Sequence, residues 1–316
     1  MSTDSLKVLI IAGGLTHERD VSVRSGRRVA NSLINQGFDA KVVDFDQNLP
    51  AEISAFGPDV VWPLVHGSLG EDGSLQSLLE GVGVPYVGST PAQAMLASNK
   101  PTAKALVGAA GLDTPGWIAL PQLLFRQLGA HNVLGMINSS LTFPLVVKPS
   151  SGGSALGMSR AQDPGDLRSA MVDAFSYEEH VMLERFIEGR DIAVSVVDLD
   201  EGPIALPPVE VSTDDGHYDY EARYTTDESE YFVPARLSND EMTDVQAAAI
   251  QIHELLGLRD LSRIDFIVDD NGSFWFIDAN VSPGMTDTSL FPQAAEATGS
   301  FDEICAAIVR YVAGRG

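Results

Sequence analysis

One cysteine, Cys305, occurs in 316 residues, so the chain can build neither an internal disulfide framework nor a cysteine-based metal site. Its surroundings, "FDEICAAIVRYV", have the spacing of an amphipathic helix, and the thiol is expected to be buried and inert. Basic residues are scarce as well. Lys and Arg number 20 against 44 Asp and Glu, a formal net charge of −24. That balance argues against non-specific binding of nucleic acid or an anionic membrane, both of which depend on basic side chains neutralising phosphates. It leaves anionic small substrates open, because a few local Lys or Arg can dominate one cleft. Apolar runs are short: "VLII" ends in Gly13-Gly14, too brief for a signal-peptide core, and no run could span a bilayer. A soluble, cytoplasmic protein is expected. Two phosphate signatures are missing too, the Rossmann G-x-G-x-x-G and the Walker A loop. The first absence sets aside a dinucleotide-dependent oxidoreductase.

What is present begins with alternation. "KVLIIAGG", "AKVVDF", "DVVWPLVHG" and "VPYVGS" read as short strands, with helices at "SVRSGRRVANSLINQG" and "SLQSLLEGVG". Such a βαβ pattern predicts a parallel sheet covered by helices. From Asn99 the pattern restarts with a helix ("KPTAKALVGAAG"), a strand ("FPLVVKPS"), the loop "SGGSALG", a helix ("PGDLRSAMVDAF") and a strand ("HVMLERFI"). Longer strands follow at "DIAVSVVDL", "GPIALPPVEV", "SRIDFIVDD" and "SFWFIDAN". A helix around "DVQAAAIQIHELLG" interrupts them, with Val245, Ala248, Ile252 and Leu255 on one face. Three units are expected, 1–98, 99–185 and 186–316.

The last two strands raise a question of charge. Phe274, Trp275, Phe276 and Ile277 read as a strand buried on both faces, yet the run ends in Asp278 and Asn280. "DDNG" (Asp269–Gly272) predicts a hairpin, which sets Asp265 roughly opposite Asp278. Arg263 shares a face with Asp265, and Asn280 with Asp278, because strand side chains repeat every second residue. Asp265, Asp278 and Asn280 thus converge as hard oxygen donors, which suit Mg²⁺ or Mn²⁺. The alternative is structural: Asp265 pairs with Arg263, and the other two cap the following turn.

Further candidates are spread along the chain. Lys148 ends an apolar strand before a Gly/Ser loop whose backbone N–H groups can cradle phosphate. In "LERFIEGRD", Glu184, Phe186 and Ile187 could offer a carboxylate and backbone groups to an adenine, and Asp191 could reach a ribose. Glu18 and His66 lie on loops at the carboxyl ends of strands, where α/β sheets bind ligands. Either can instead be structural: Glu18 can steady its helix start, and His66 can be a turn histidine. In "NVSPGMTDTSL", Gly284 marks a turn and Ser289 precedes a helix, as a cap or as part of a carboxylate site.

In order, "AGGLTHERDVSVRSG", "HGSLGEDGSLQ", "VPYVGS", "VVKPSSGGSALGMS", "DYEARY", "RIDF" and "DANVSPGMTDTSL" resemble the D-alanine–D-alanine ligase family of the ATP-grasp superfamily. The resemblance covers essentially the whole chain. It implies a three-domain α/β ATP-grasp fold, with an N-terminal parallel βαβ domain and ATP sandwiched between central and C-terminal domains. It implies ligation of two D-alanines through an acyl phosphate, for peptidoglycan precursor synthesis, by a cytoplasmic homodimer using ATP and two Mg²⁺ or Mn²⁺ ions.

Residue by residue, the resemblance makes Lys100 and Lys148 phosphate contacts, Glu184 the adenine contact and Asp191 the ribose contact. Asp265, Asp278 and Asn280 become the metal ligands. Arg263 and the backbone of Gly284 stabilise the tetrahedral intermediate. Glu18 binds the first ammonium, Ser289 and Leu290 the second carboxylate, and His66 is a proton-transfer group. Glu18, Ser154 and Tyr224 would be linked by hydrogen bonds that close a lid, "DYEARYTTDESEYF". Three positions depart from the family's usual pattern: Arg223 for Lys, Asp278 for Glu, and Ser154-Ala155 for Ser-Ser. They leave room for a relative with a different acceptor, D-serine or D-lactate, or one serving a biosynthetic or self-resistance pathway. Tyr224 favours an amine acceptor.

Overall fold

A computed structural model describes residues 5–138, 142–153, 155–213 and 229–315. Strands β1 (Lys7–Ala12), β2 (Asp39–Asp44) and β3 (Val60–Pro63) form a parallel sheet in the order β2-β1-β3. Val8, Leu9, Ile10 and Ile11 are all fully buried, because helices cover both faces of this sheet. Val8 and Ile10 pack with the helices Arg19–Asn35 and Phe301–Ala313, while Leu9 and Ile11 pack with Leu49–Phe56 and Ser74–Val82. Gly26 lets the first of these helices lie close on β1; a Cβ there would stand 2.8 Å from the Cβ of Ala12. Cys305 sits in the Phe301–Ala313 helix with no exposed surface, and burial pushes its thiol up to about 12, as expected of an inert core cysteine.

"VPYVGS" does not form a strand. Tyr86 bridges only to Val61, and the chain turns away at Gly88, whose φ of +107° any side chain would resist.

The second sheet is antiparallel throughout. It contains β4 (Trp117–Pro121), β5 (Leu145–Pro149), β6 (Ser159–Ala161) and β7 (His180–Arg185), in the order β4-β7-β5-β6. Leu167, Ala170, Met171 and Ala174 of the helix Pro164–Ala174 pack on Leu145, Val147, Val181 and Leu183.

The third sheet holds β8 (Arg190–Leu199), β9 (Gly202–Ala205), β10 (Val209–Thr213), β11 (Ser229–Phe232), β12 (Asp260–Val268) and β13 (Phe274–Asn280). Its order is β11-β10-β8-β12-β13, with β9 also paired to β8. "GPIALPPVEV" is two strands, not one, since Pro207 and Pro208 cannot donate to a ladder. The helix Asn239–Leu255 covers this sheet, closed at its start by a capping box between Ser238 and Glu241. Val245, Ala248 and Ile252 are buried as its spacing predicts, but Leu255 faces solvent and Leu256 takes the core position. Helices Pro91–Ser98 and Lys100–Ala109 also pack here, through Ala94, Ala97, Ala103 and Val107.

The hairpin between β12 and β13 sets the site. Asp269 organises its turn: the carboxylate accepts from the N–H groups of Asn271 (2.9 Å) and Ser273 (3.0 Å) and from Trp275 Nε1 (3.1 Å). Arg263 stands opposite Asn280, and Asp265 opposite Asp278. A bulge follows, because Phe266 pairs with Phe276 and leaves Ile277 unmatched. Of the four bulky residues only Phe276 is fully buried; Phe274, Trp275 and Ile277 are half-buried, at variance with a strand covered on both faces.

Candidate active site

A cleft of about 330 Å³ opens between the second and third sheets. Lys148 reaches it from β5, Asp191 from β8, Asp265 from β12 and Asp278 from β13. Adjacent strand residues ordinarily point to opposite faces, yet Ile277 and Asp278 both line this cleft. The bulge at Ile277 turns the strand so that they can. Glu18, Lys100 and Leu290 complete the set of expected residues in its wall.

Asp278 is paired, and its partner is Lys100. The Lys100 ammonium donates to Oδ2 of Asp278 at 2.6 Å and to the carbonyl of Gly152 at 2.6 Å. It therefore straps the glycine loop to the end of β13. Burial raises the pKa of Asp278, but Lys100, with Lys148 and Arg263 further off, outweighs it and holds the carboxyl below its ordinary range. Arg263 grips Asp265 with two parallel bonds, Nε to Oδ1 at 2.7 Å and a terminal nitrogen to Oδ2 at 2.8 Å. Asn280 Oδ1 accepts the N–H of Ser282 at 2.8 Å. The structural alternative for Asp265 and Asn280 is therefore the arrangement present.

Those contacts do not rule the three residues out as ligands. Among the described residues no group of three or more His, Cys, Asp or Glu is placed to hold a metal ion. Two carboxylates and an amide oxygen at one hairpin end are a partial, oxygen-only donor set. That fits Mg²⁺ or Mn²⁺, which complete their shells with water and phosphate oxygens.

Glu184 is almost wholly buried between two lysines. Lys148 Nζ approaches its Oε2 at 2.7 Å, and Lys104 pairs with Oε1. Burial would raise its pKa; Lys148 and Lys104 together keep it lowered. Phe186 stacks under Arg160, 3.7 Å from guanidinium carbon to ring centre, and Ile187 is buried beyond the end of β7. Neither is in the wall of the cleft.

On the substrate side, Glu18 is buried at the start of the helix Arg19–Asn35. Gly67, at φ +88°, lets the next loop come close: a Cβ there would lie 2.9 Å from Glu18 Oε2. His66 is buried, with Nε2 3.3 Å from Ser25 Oγ and Nδ1 3.8 Å from Glu71. Ser25 Oγ in turn accepts the N–H of Met285 at 3.0 Å, which ties the "NVSPGMTDTSL" turn to the first helix. Ser289 occupies the cap position of the helix Leu290–Thr298 without capping it. Its hydroxyl faces back, accepting from Thr286 N at 3.0 Å, and a Cβ on Gly284 would meet it at 2.7 Å.

Ser154, Arg223 and Tyr224 lie outside the described residues. The last four residues of the expected lid stretch, Ser229–Phe232, form β11 against β10.

Two residues were not singled out from the sequence. Lys104, four residues after Lys100, lies deep in the cluster, where a K-x-x-x-K spacing on one helix face was the available signal. Glu71, in the quoted "HGSLGEDG", stands near His66 and beside Gly153.

Residues 106–310 match the family model described as the D-ala D-ala ligase C-terminus, and residues 39–89 match that of its N-terminus. A D-alanine–D-alanine ligase of Bordetella petrii is 37% identical over 304 residues, which cover 96% of this chain and 91% of that protein. The D-alanine–D-alanine ligase of Bacillus anthracis, solved complexed with ATP, superposes with a TM-score of 0.79 at 26% identity, covering 98% and 97% of the two chains. The VanG D-Ala:D-Ser ligase of Enterococcus faecalis superposes at 0.83 with 25% identity, covering 98% and 100%. On this sequence, fold and cleft, the chain belongs to the D-alanine–D-alanine ligase family of the ATP-grasp superfamily.

Proposed function

We propose that the chain uses ATP to join two D-alanines into D-alanyl-D-alanine, for peptidoglycan precursors, working as a cytoplasmic homodimer. The observation that carries this reading is the single cleft in which Lys100, Lys148, Asp191, Asp265 and Asp278 meet Glu18 and Leu290. The side chains expected to meet nucleotide and those expected to meet amino acid line the same cleft, which supports the reading.

In this reading the units 1–98, 99–185 and 186–316 act together, with ATP between the second and third sheets. Lys100 and Lys148 bind its phosphates, Glu184 and backbone groups of Phe186 and Ile187 contact the adenine, and Asp191 binds the ribose. Arg223 adds a further charge. Asp265, Asp278 and Asn280 would hold two Mg²⁺ or Mn²⁺ ions, which would supply positive charge among the phosphates. A carboxylate oxygen of the first D-alanine, held through its ammonium by Glu18, attacks the γ-phosphorus as the bond to ADP breaks. The amine of the second, held by Ser289 and Leu290, then attacks the acyl phosphate carbonyl, loses a proton and expels phosphate. Arg263 and the N–H of Gly284 stabilise the oxyanion that develops. His66 transfers a proton near the first substrate. Ser154 and Tyr224, linked to Glu18, keep water from the acyl phosphate.

A D-serine acceptor is the second reading, favoured by the likeness to the VanG structure. The test is coupled detection of ADP release with D-alanine alone, then with D-alanine plus D-serine or D-lactate. D-Alanine alone is expected to suffice; no ADP release from it would sink the leading reading. No helix among the described residues is long and apolar enough to cross a membrane.

A further inference from the structure

Lys104 lies at 1% exposure on the helix Lys100–Ala109, on the same face as Ala103 and Val107. An aliphatic side chain would fill that position without the cost of burying an ammonium. Three acceptors meet it instead. Its Nζ pairs with Oε1 of Glu184 and donates to the Phe276 carbonyl at 2.8 Å and to Thr114 Oγ1 at 3.0 Å. Two of its N–H donors make these hydrogen bonds, and the Glu184 ion pair balances the charge.

These acceptors serve two walls of the cleft. Phe276 belongs to β13, which among the described residues has a neighbouring strand, β12, on one side only, so its outward backbone groups have no described strand beside them. Lys104 and Thr114 satisfy the Phe276 carbonyl, and the Phe276 N–H reaches the Asp113 carbonyl at 2.8 Å. Those bonds pin the strand one residue before the bulge that presents Ile277 and Asp278 to the cleft. On the other wall, Glu184 divides its charge between Lys104 and Lys148, and Lys148 faces the cleft.

We propose that Lys104 is a positioning residue for the nucleotide: by sharing Glu184 it keeps Lys148 free enough to meet phosphate, and by holding Phe276 it sets the opposite wall. The proposal rests on the ligase reading for its ligand. With Lys104 uncharged, Glu184 falls wholly to Lys148 and draws that lysine off the phosphates. Burial, eased by Glu184 and deepened by Lys148, lowers Lys104 from its ordinary 10.5 to about 8, with Asp278 acting more weakly from β13. Its charge is therefore lost within an accessible range.

Two readouts then separate positioning from mere support. Between about 8 and 10.5 the unfolded chain holds this proton more tightly than the folded one, so Lys104 makes stability rise with pH. Nucleotide affinity should fall over the same interval. The experiment measures ADP binding by calorimetry, without turnover, at several pH values from 7 to 9.5, with urea unfolding in parallel. Unaltered protein should lose about tenfold in ADP affinity across that range, the size of one charge-assisted bond. Lys104→Met should bind ADP about tenfold more weakly at pH 7, with no further loss as pH rises. Glu184→Gln covers the case in which Lys104→Met does not fold; with no anion left to pass to Lys148, loss of the Lys104 proton should no longer cost ADP affinity, so the alkaline loss should be abolished. Wild-type ADP affinity and pH dependence in Lys104→Met overturns the proposal, as does a full alkaline loss in Glu184→Gln. Failure of the unaltered protein to bind ADP at pH 7 sinks the ligase reading instead.

Discussion

Two aspartates in the third sheet carry opposite electrostatics. Asp260 opens β12 with no exposed surface and a φ of +66°, rare for a residue with a side chain. Arg315 clamps it with bonds of 2.6 and 2.8 Å, and Gly88 N donates at 2.7 Å. Burial still dominates, and its pKa stays raised. Asp278, two residues before the end of β13, keeps 14% of its side chain exposed, and its pKa is lowered, because Lys100, Lys148 and Arg263 all act on it. The partners differ in kind. Arg315 is itself fixed to the Tyr86 carbonyl at 3.2 Å, so the pair locks the chain's last helix to the first sheet. Lys100 holds Asp278 by one ammonium, in the wall of an open cleft. A carboxylate kept charged by a partner that can move away is suited to exchange ligands. One locked by a guanidinium is suited only to hold the fold.

The largest effect that could break this contrast comes from Asp278→Ala. If Asp278 holds metal at the phosphates, turnover should fall on the order of 10³-fold, since a metal supplies several kcal/mol of charge stabilisation. ADP binding should lose its Mg²⁺ dependence, and the urea midpoint should move little. Unchanged turnover would refute the metal assignment.

Arg315→Ala tests the other member of the pair. It leaves Asp260 buried with the Gly88 N–H and the more distant Arg259, at 3.9 Å, a loss of about 3–5 kcal/mol in stability. Turnover per folded molecule should hold, since neither residue lines the cleft. The sign with pH follows from the direction of the shift. Asp260 already binds its proton more tightly folded than unfolded, and more so without Arg315, so the variant should regain stability as pH falls from 7 towards 5. Urea unfolding at both values checks it; an equal loss at each would mean the buried charge is not the cause.

Strand arithmetic carried much of the site. Period-two spacing and "DDNG" place Asp265 opposite Asp278, and the continuous run in β1 does mark a strand covered on both faces. What stayed hidden depends on contacts between distant segments. The bulge at Ile277 adds one residue to one strand, and no local propensity announces it. Lys104 reads as an ordinary helical lysine until Glu184, 80 positions on, folds against it. Tyr86 lies in a run apolar enough for a strand, but Arg315 and Asp260, both remote in sequence, hold the backbone at Tyr86 and Gly88. Leu255 and Leu256 exchange roles at a helix end, where one residue of fraying turns the face.

The finest test of the contrast keeps the charge and moves it. Asp278→Glu restores the residue usual in the family at this position, one methylene longer. If Lys100 and metal compete for this carboxylate, reach decides which wins. The present side chain meets Lys100 at 2.6 Å, within ordinary hydrogen-bond range. A longer one must fold back to keep that bond, while it extends further towards ligands in the cleft. Both changes favour metal over the lysine. The Mg²⁺ concentration giving half-maximal ADP release should therefore fall roughly threefold to fivefold, a difference under about 1 kcal/mol. An unchanged midpoint would mean that the Lys100 pair, not the length of the acid, sets how readily Asp278 is released.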